Sequence, residues 1–154
     1  MVEKLAKLQK LKNLSLISDS SSGTDIISSL DSIKTLEKIR IKLFNDELLK
    51  NISLLPKCLS KMESLRSLKL EIIYCAQTQT LLEFVSQLEI MTQLTHLDLS
   101  CKMLRQVNDN LFVALGKSLS RLQNIRHLHF SIDNLNGRDS KITSSAICSF
   151  FEIF

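Results

Sequence analysis

The chain has 154 residues, of which 44% are hydrophobic, 23% charged and 5% aromatic, and its formal net charge is +4. This apolar fraction is typical of a folded chain rather than a disordered one, and the length suits a single domain spanning residues 1–154. No apolar run approaches the roughly 18 residues that a bilayer-spanning helix needs, so the sequence excludes a transmembrane protein.

The N-terminal residues and the cysteines predict a reducing, cytoplasmic location. Residues 1–7 alternate charged with small apolar side chains and lack the continuous apolar segment of a secretory signal. Cys58, Cys75, Cys101 and Cys148 are far apart and form no C-x-x-C pair, so we expect neither a disulfide framework nor a structural zinc site. We expect these cysteines to be reduced thiols at small buried positions.

Along the chain, five segments share the pattern apolar-x-x-apolar-x-x-apolar-x-apolar. They are Leu8/Leu11/Leu14/Leu16, Ile33/Leu36/Ile39/Ile41, Met62/Leu65/Leu68/Leu70, Met91/Leu94/Leu97/Leu99 and Leu122/Ile125/Leu128/Phe130. The third positions of successive segments are separated by 25, 29, 29 and 31 residues. This near-constant offset predicts a repeat architecture.

Each repeat predicts one strand and one helix. The alternation that ends each segment is typical of a strand with one buried face, which predicts strands at 13–17, 38–42, 67–71, 96–100 and 127–131. Between these segments the apolar residues change to helical spacing, which predicts helices at 46–62, 79–91, 109–121 and 143–153 and a shorter one at 24–33. Pro56 should break or restart the helix that contains it.

This spacing resembles the leucine-rich repeat of the ribonuclease-inhibitor-like class, whose units of about 28 residues pair one strand with one helix. The resemblance covers roughly residues 5–135. It implies an α/β fold: a right-handed leucine-rich-repeat solenoid, or horseshoe, of about five repeats with a parallel β-sheet on the concave face and helices on the convex face. The family's Asn or Cys after each strand is replaced here by Asp19, Phe44, Ile73, Lys102 and Asp133, so we expect irregular turns after the strands.

Neither end of the chain has the polar outer face that a terminal repeat needs. The last residues include Phe150, Phe151 and Phe154, and exposed apolar groups of this size usually mark an interface. We therefore expect the chain to be a fragment of a longer repeat protein or an uncapped piece of a larger assembly, with neighbouring repeats or another subunit covering its termini.

The strand residues that alternate with the leucines should lie on the concave face and form three columns across the sheet. The columns are Asn13, Lys38, Ser67, His96, His127; Ser15, Arg40, Lys69, Asp98, His129; and Ile17, Lys42, Glu71, Ser100, Ser131. In proteins of the family that the chain resembles, function usually depends on this face.

Two clusters of these residues are candidates for binding. Lys38, Arg40 and Lys42 line one strand with Lys69 beside them, which predicts a positive patch for a carboxylate, a phosphate or an acidic protein surface. The alternative is a solvated edge whose charges keep the protein soluble.

The second cluster contains all three histidines of the chain, His96, His127 and His129, with Asp98 between them. Neighbouring strands lie about 4.8 Å apart, so His96 can approach His127 and Asp98 can approach His129. These residue types suit zinc, but an open sheet does not enclose an ion, so we favour a polar binding surface or an Asp98–His129 pair over a metal site. Partner binding that depends on pH is a further alternative, since histidine titrates near pH 6.5.

Catalytic motifs are missing from the sequence. The chain has no G-x-S-x-G and no glycine-rich phosphate loop, and its glycines are Gly23, Gly116 and Gly137. We therefore predict a protein that is not an enzyme and needs no cofactor: a protein–protein interaction or scaffold module that binds a protein partner, and no membrane, through its concave face. The residues expected to bind are Lys38, Arg40, Lys42, Lys69, Glu71, His96, Asp98, His127 and His129.

Two other functions remain open. The positive patch could bind RNA or another polyanion, although the concave columns offer no aromatic residue besides histidine for stacking bases. Alternatively, the chain is a structural subunit of a large complex, as its uncapped ends indicate.

Overall fold

The computed structural model describes residues 10–18, 30, 33–44, 52–74, 78–102 and 108–133. Within them, five parallel strands form one sheet whose spatial order is the chain order. The strands are β1 (Asn13–Ser18), β2 (Lys38–Leu43), β3 (Ser67–Ile72), β4 (His96–Lys102) and β5 (His127–Asp133). Each strand begins at the predicted residue and ends one or two residues later than predicted. The α/β class with a parallel sheet is confirmed.

The strands extend further than predicted because their backbone pairing continues. The Phe44 N–H donates to the Ser18 carbonyl at 3.3 Å, and the Ile73 N–H donates to the Leu43 carbonyl at 2.8 Å. Lys102 and Asp133 pair in register within β4 and β5. The expectation of a turn is therefore wrong at Lys102 and Asp133, which lie within strands, whereas Phe44 and Ile73 directly follow β2 and β3, with Ile73 in a bend. Asp19 lies outside the described residues.

The described helices are α1 (Leu54–Ser60), α2 (Thr78–Ser86), a short 3-10 helix (Leu88–Ile90) and α3 (Asp109–Leu119). Of the helix predicted at 46–62, the described part is helical only from Leu54, with Ile52 and Ser53 in a turn. Pro56 is the third residue of α1, where its missing N–H removes no intrahelical hydrogen bond. Pro56 is therefore compatible with a helix that restarts at Leu54.

The helix predicted at 79–91 is divided in two. α2 ends at Ser86, whose hydroxyl donates to the Leu82 carbonyl at 2.7 Å, and the 3-10 helix follows. Hydroxyl bonds of this kind compete with the backbone pairing of a helix. The tighter winding keeps both Leu88 and Met91 buried.

The helix predicted at 109–121 is confirmed to within two residues. Asn108 caps α3, since its side chain accepts a hydrogen bond from the Leu111 N–H at 3.3 Å. The helix predicted at 143–153 lies outside the described residues, as does most of the one at 24–33, of which Leu30 and Ile33 are described.

In three of the five repeat patterns, the first two apolar positions form a turn that leads into the strand. The Leu65 N–H donates to the Met62 carbonyl at 3.0 Å, and the same bond joins Leu94 to Met91 and Ile125 to Leu122, both at 3.1 Å. The apolar-x-x-apolar spacing thus anchors a buried turn three times in the same geometry.

A second recurring contact aligns the start of each strand with the preceding repeat. One carbonyl accepts hydrogen bonds from two successive N–H groups of the next repeat, at 2.8–3.1 Å. The accepting carbonyls belong to Lys12, Glu37, Arg66 and Thr95. Because these bonds use backbone atoms, they fix the strand register whatever side chains the sheet carries.

The leucine face of the sheet and the helices share one hydrophobic core. Strand residues such as Leu68 and Leu97 and helix residues such as Leu59, Phe84 and Leu115 belong to a single buried cluster. Of the cysteines expected to be buried, Cys101 is buried and Cys58 half-buried, while Cys75 and Cys148 lie outside the described residues. None of the helices within the described ranges has the length and hydropathy required to span a bilayer.

Candidate partner-binding face

The face of the sheet opposite the leucines, here called the open sheet face, carries the predicted columns. Strand pairing places the residues of the first column side by side: Asn13, Lys38, Ser67, His96 and His127. The columns that start at Ser15 and Ile17 are paired in the same register. All nine predicted binding residues therefore lie on this face, between β2 and β5.

Glu71 is the centre of a charged cluster formed with Arg40, Lys42 and Lys69. Its Oε1 accepts a hydrogen bond from Arg40 Nη2 at 2.6 Å. Lys42 Nζ lies 3.7 Å from Oε2, and Lys69 Nζ lies 3.7 Å from Oε1. The Glu71 side chain is only 12% exposed, whereas that of Arg40 is 53% exposed. One nearly buried carboxylate thus holds three cations from two neighbouring strands.

The pKa of Glu71 is lowered from its ordinary value. Burial alone would raise it, but the hydrogen bond from Arg40 and the positive charges of Arg40, Lys42 and Lys69 outweigh burial. Glu71 is therefore held in its charged form, and the cluster is a preformed part of the folded sheet.

This geometry changes the interpretation of the predicted positive patch. Of its four cations, Arg40, Lys42 and Lys69 are paired with a carboxylate, and Lys38 has no ion pair among the described residues. Sequence reasoning grouped the cations by strand, but Arg40 reaches diagonally and Lys42 directly across to Glu71 on the next strand, and Lys69 precedes Glu71 on the same strand. The patch is consequently much closer to neutral than the count of basic residues indicates.

Asp98 is paired with Lys69 rather than with His129. Lys69 Nζ lies 2.5 Å from Asp98 Oδ2, while Oδ1 is buried without a hydrogen-bond partner in the described part of the chain. Asp98 and His129 are neighbours in register, but the ammonium group of Lys69 makes the closer, charge-assisted contact. Little of the negative charge of Asp98 therefore faces outward.

The rings of His96 and His127 stack on each other. Their centroids lie 4.3 Å apart with an angle of 20° between the ring planes, so the predicted approach of these two residues is confirmed. Thr95 Oγ1 lies 2.8 Å from His96 Nδ1 and orients that ring. The described ranges contain no group of three His, Cys, Asp or Glu side chains that could hold a metal ion.

The histidines line a shallow depression of about 550 Å³ that crosses β3, β4 and β5. We call this depression the histidine groove. Its ionisable lining consists of Lys69, His96, Asp98, Arg126, His127 and His129. Sequence reasoning missed Arg126, which directly precedes β5. Its position next to His127 was the available signal, although it lies outside the three columns.

An apolar spot lies at the other end of the sheet, where sequence reasoning placed Ile17 in a column but missed Phe44. Ile17 is 70% exposed on β1. Phe44, directly after β2, is 38% exposed, and Lys42 Nζ lies 5.2 Å from its ring centroid. An exposed aliphatic side chain and a cation over an aromatic ring are contacts on which a protein partner can pack.

No family model, curated protein or solved structure matches the chain.

Proposed function

We propose that the chain is a non-catalytic, cytoplasmic interaction module of the leucine-rich-repeat type, which binds a partner protein through the open sheet face. The observation that carries this proposal is the contrast between the two faces of the sheet. One face is buried in the core, while the other presents exposed charged and polar residues such as Lys38, Arg40, His96 and His127. No described helix packs on that second face.

The repeating contacts support the solenoid part of the proposal. Neighbouring strands are parallel and successive along the chain, and the four strand-to-strand steps use the same shared-carbonyl bonds. Connections between parallel neighbouring strands are almost always right-handed. A right-handed solenoid with the open sheet face on its concave side is the arrangement that agrees with these features.

A protein partner suits the open sheet face better than a polyanion does. Protein interfaces combine apolar contacts, hydrogen bonds and a limited number of charges, and this face offers Ile17, Phe44 and the histidine groove. Polyanion binding requires several cations available for phosphates, whereas Arg40, Lys42 and Lys69 are already held by Glu71 and Asp98.

Photo-crosslinking tests which face binds. A photoreactive amino acid is introduced into the full-length chain at Lys38 or His127 on the open sheet face. Matched variants carry it at Val113 or Lys117, which are exposed on α3. After irradiation in cells, we expect crosslinks to one protein from the two sheet positions and not from the two helix positions.

The opposite pattern, with crosslinks from α3 alone, would place the interface on the helices and overturn the proposal. Crosslinks from both faces at once would instead favour a structural subunit enclosed in a larger complex. Crosslinks to nucleic acid from Lys38 would favour the polyanion function. A triple alanine variant of Arg40, Lys42 and Lys69 is a poorer test, because it leaves Glu71 buried without its cations and so changes stability as well as binding.

A further inference from the structure

We propose that the histidine groove is the docking site for an acidic, extended segment of the partner protein, and that docking is accompanied by proton uptake. This inference rests on the proposed function, since it assigns a chemistry to the segment that the open sheet face binds. It follows from the charges that line the groove, from its shape and from the titration of histidine.

The lining charges are complementary to carboxylates. Arg126 has no ion pair among the described residues, and the three imidazoles become cations when they are protonated. Asp98 supplies the one carboxylate among the described lining residues, and it has one oxygen held by Lys69 and the other buried. An incoming acidic side chain therefore meets hydrogen-bond donors and positive charge with little repulsion.

The shape of the groove suits an extended chain. Its volume of about 550 Å³ is within the range of ligand sites, but it is shallow and open, and it crosses three strands. A compact ligand would stay largely in water at such a site. An extended segment that lies across β3, β4 and β5 would contact His96, His127 and Arg126 in succession.

Proton uptake follows from the histidines and the groups around them. Imidazole titrates near pH 6.5, and two protonated rings stacked as closely as His96 and His127 would repel each other. The other ionisable groups of the groove are Lys69 from β3, Asp98 from β4, and Arg126 and His129 before and within β5. The next ones on the same face are Lys38, Arg40, Lys42, Glu71, Lys102 and Asp133. A carboxylate in the groove offsets the repulsion, so the acidic segment should bind more tightly as the pH falls.

The probe is a short fluorescein-labelled peptide of alternating glutamate and serine, with glutamine–serine and lysine–serine peptides as controls. Anisotropy is measured with the full chain at about pH 8 and about pH 5.5, on either side of the histidine range. We expect the glutamate peptide to bind at least about tenfold more tightly at the lower pH, and the controls to bind weakly at both. Equal affinity at the two pH values, or equal binding of the glutamine peptide, would overturn the proposal.

Variants assign the effect to the groove. The double variant His96→Gln/His127→Gln should lose most of the pH dependence, and Arg126→Gln should weaken binding about three- to tenfold at both pH values. Lys117→Gln, which removes an exposed cation of α3, is the matched control and should bind as the wild type does. Thermal unfolding of each variant verifies that it is folded. Retained pH dependence in the histidine variant would place the titrating group elsewhere.

A competing oligouridylate separates the two classes of partner. Displacement of the peptide by oligouridylate at equal concentration would overturn the proposal in favour of polyanion binding. The crosslinking experiment shows whether the acidic segment alone or the proposed function as a whole is wrong. Crosslinks from the open sheet face without acidic-peptide binding would refute the acidic segment alone, whereas crosslinks only from α3 would refute the proposed function itself.

Discussion

The charged cluster around Glu71 and the histidine groove occupy neighbouring parts of the same sheet, yet their charges are arranged in opposite ways. In the cluster, Arg40, Lys42 and Lys69 surround a nearly buried carboxylate. In the groove, Arg126 and the three histidines have no such centre among the described residues. The region with more formal charge therefore has less of it unpaired, and on the proposed function the groove rather than the cluster is expected to attract an acidic partner.

The largest expected effect is a loss of stability when the charged cluster, rather than the histidine groove, is altered. Glu71→Gln replaces the carboxylate with an amide whose N–H group would face the cations that Glu71 now holds. Because a buried hydrogen bond to a charged group contributes about 1.5–3 kcal/mol and Arg40 is half-exposed, we expect unfolding free energy to fall by about 1–2 kcal/mol. Urea unfolding of wild type and variant at neutral pH measures this fall in unfolding free energy.

The matched control for that variant is Glu37→Gln. Glu37 accepts a hydrogen bond from Lys12 at 2.7 Å, which is nearly the Arg40–Glu71 distance, but the pair is exposed. Exposed ion pairs contribute little, so no measurable change in stability is expected. Equal destabilisation by the two variants would mean that pairing alone, and not burial, makes Glu71 important.

The pH dependence of stability should report the same carboxylate. The pKa of Glu71 is lowered in the folded state by Arg40 and its neighbours despite the opposing effect of burial. Its stabilising contribution is therefore present above the unfolded-state pKa of about 4.3 and is lost as the pH falls through the lower folded-state value. The stability difference between wild type and Glu71→Gln should shrink below about pH 4, as acid titration of urea unfolding would measure. A constant difference down to about pH 2 would contradict this assignment.

A smaller effect is expected at the border between the regions. Asp98→Asn removes the one carboxylate among the described residues that line the groove and breaks the closer of the two ion pairs of Lys69. A unit charge about 4 Å away contributes about 1 kcal/mol in water, so the glutamate peptide should bind about three- to fivefold more tightly. Anisotropy titration of wild type and variant at about pH 8 measures the difference. Weaker binding would show that the Lys69–Asp98 pair itself forms part of the site.

The smallest effect is expected for the stability of the groove variants. His96→Gln/His127→Gln changes two exposed side chains, and substitutions of this kind usually alter stability by less than about 0.5 kcal/mol. Urea unfolding at about pH 8 should therefore give nearly the wild-type curve. A loss as large as that of Glu71→Gln would show that the stacked rings support the sheet.

Much of the fold could be predicted because its determinants are periodic in the sequence. In every strand, apolar residues such as leucine and isoleucine occupy alternate positions. This alternation predicts where each strand starts and which residues lie beside Lys38 and His96 on the neighbouring strands. The positions that were wrong depend on local competition. The hydroxyl of Ser86 helps to end α2 early, and backbone pairing extends β2 to Leu43 and β3 to Ile72, beyond their predicted ends.

The site was less predictable because it depends on where side chains reach. Sequence order gives the column in which each residue lies. Which neighbouring residue a side chain contacts depends on the length and direction of that side chain. Lys69 contacts Asp98 on one side and Glu71 on its own strand. No pattern of residue types shows that Lys69, and not His129, is the partner of Asp98. Arg126 was missed for a related reason, since it reaches the groove from outside the columns.

The carbonyls of Lys12, Glu37, Arg66 and Thr95, each accepting from the next repeat, have a mechanical consequence. Because each strand pairs with the strands next to it in the chain, tension applied across the sheet acts on all the strand-to-strand interfaces in series, and the interfaces open one after another. The third positions of successive repeat patterns are 25, 29, 29 and 31 residues apart. At about 3.5 Å per extended residue, each opened repeat would release about 90–110 Å of chain. The described sheet should therefore lengthen under load in steps of that size, because its repeats open one by one rather than all together.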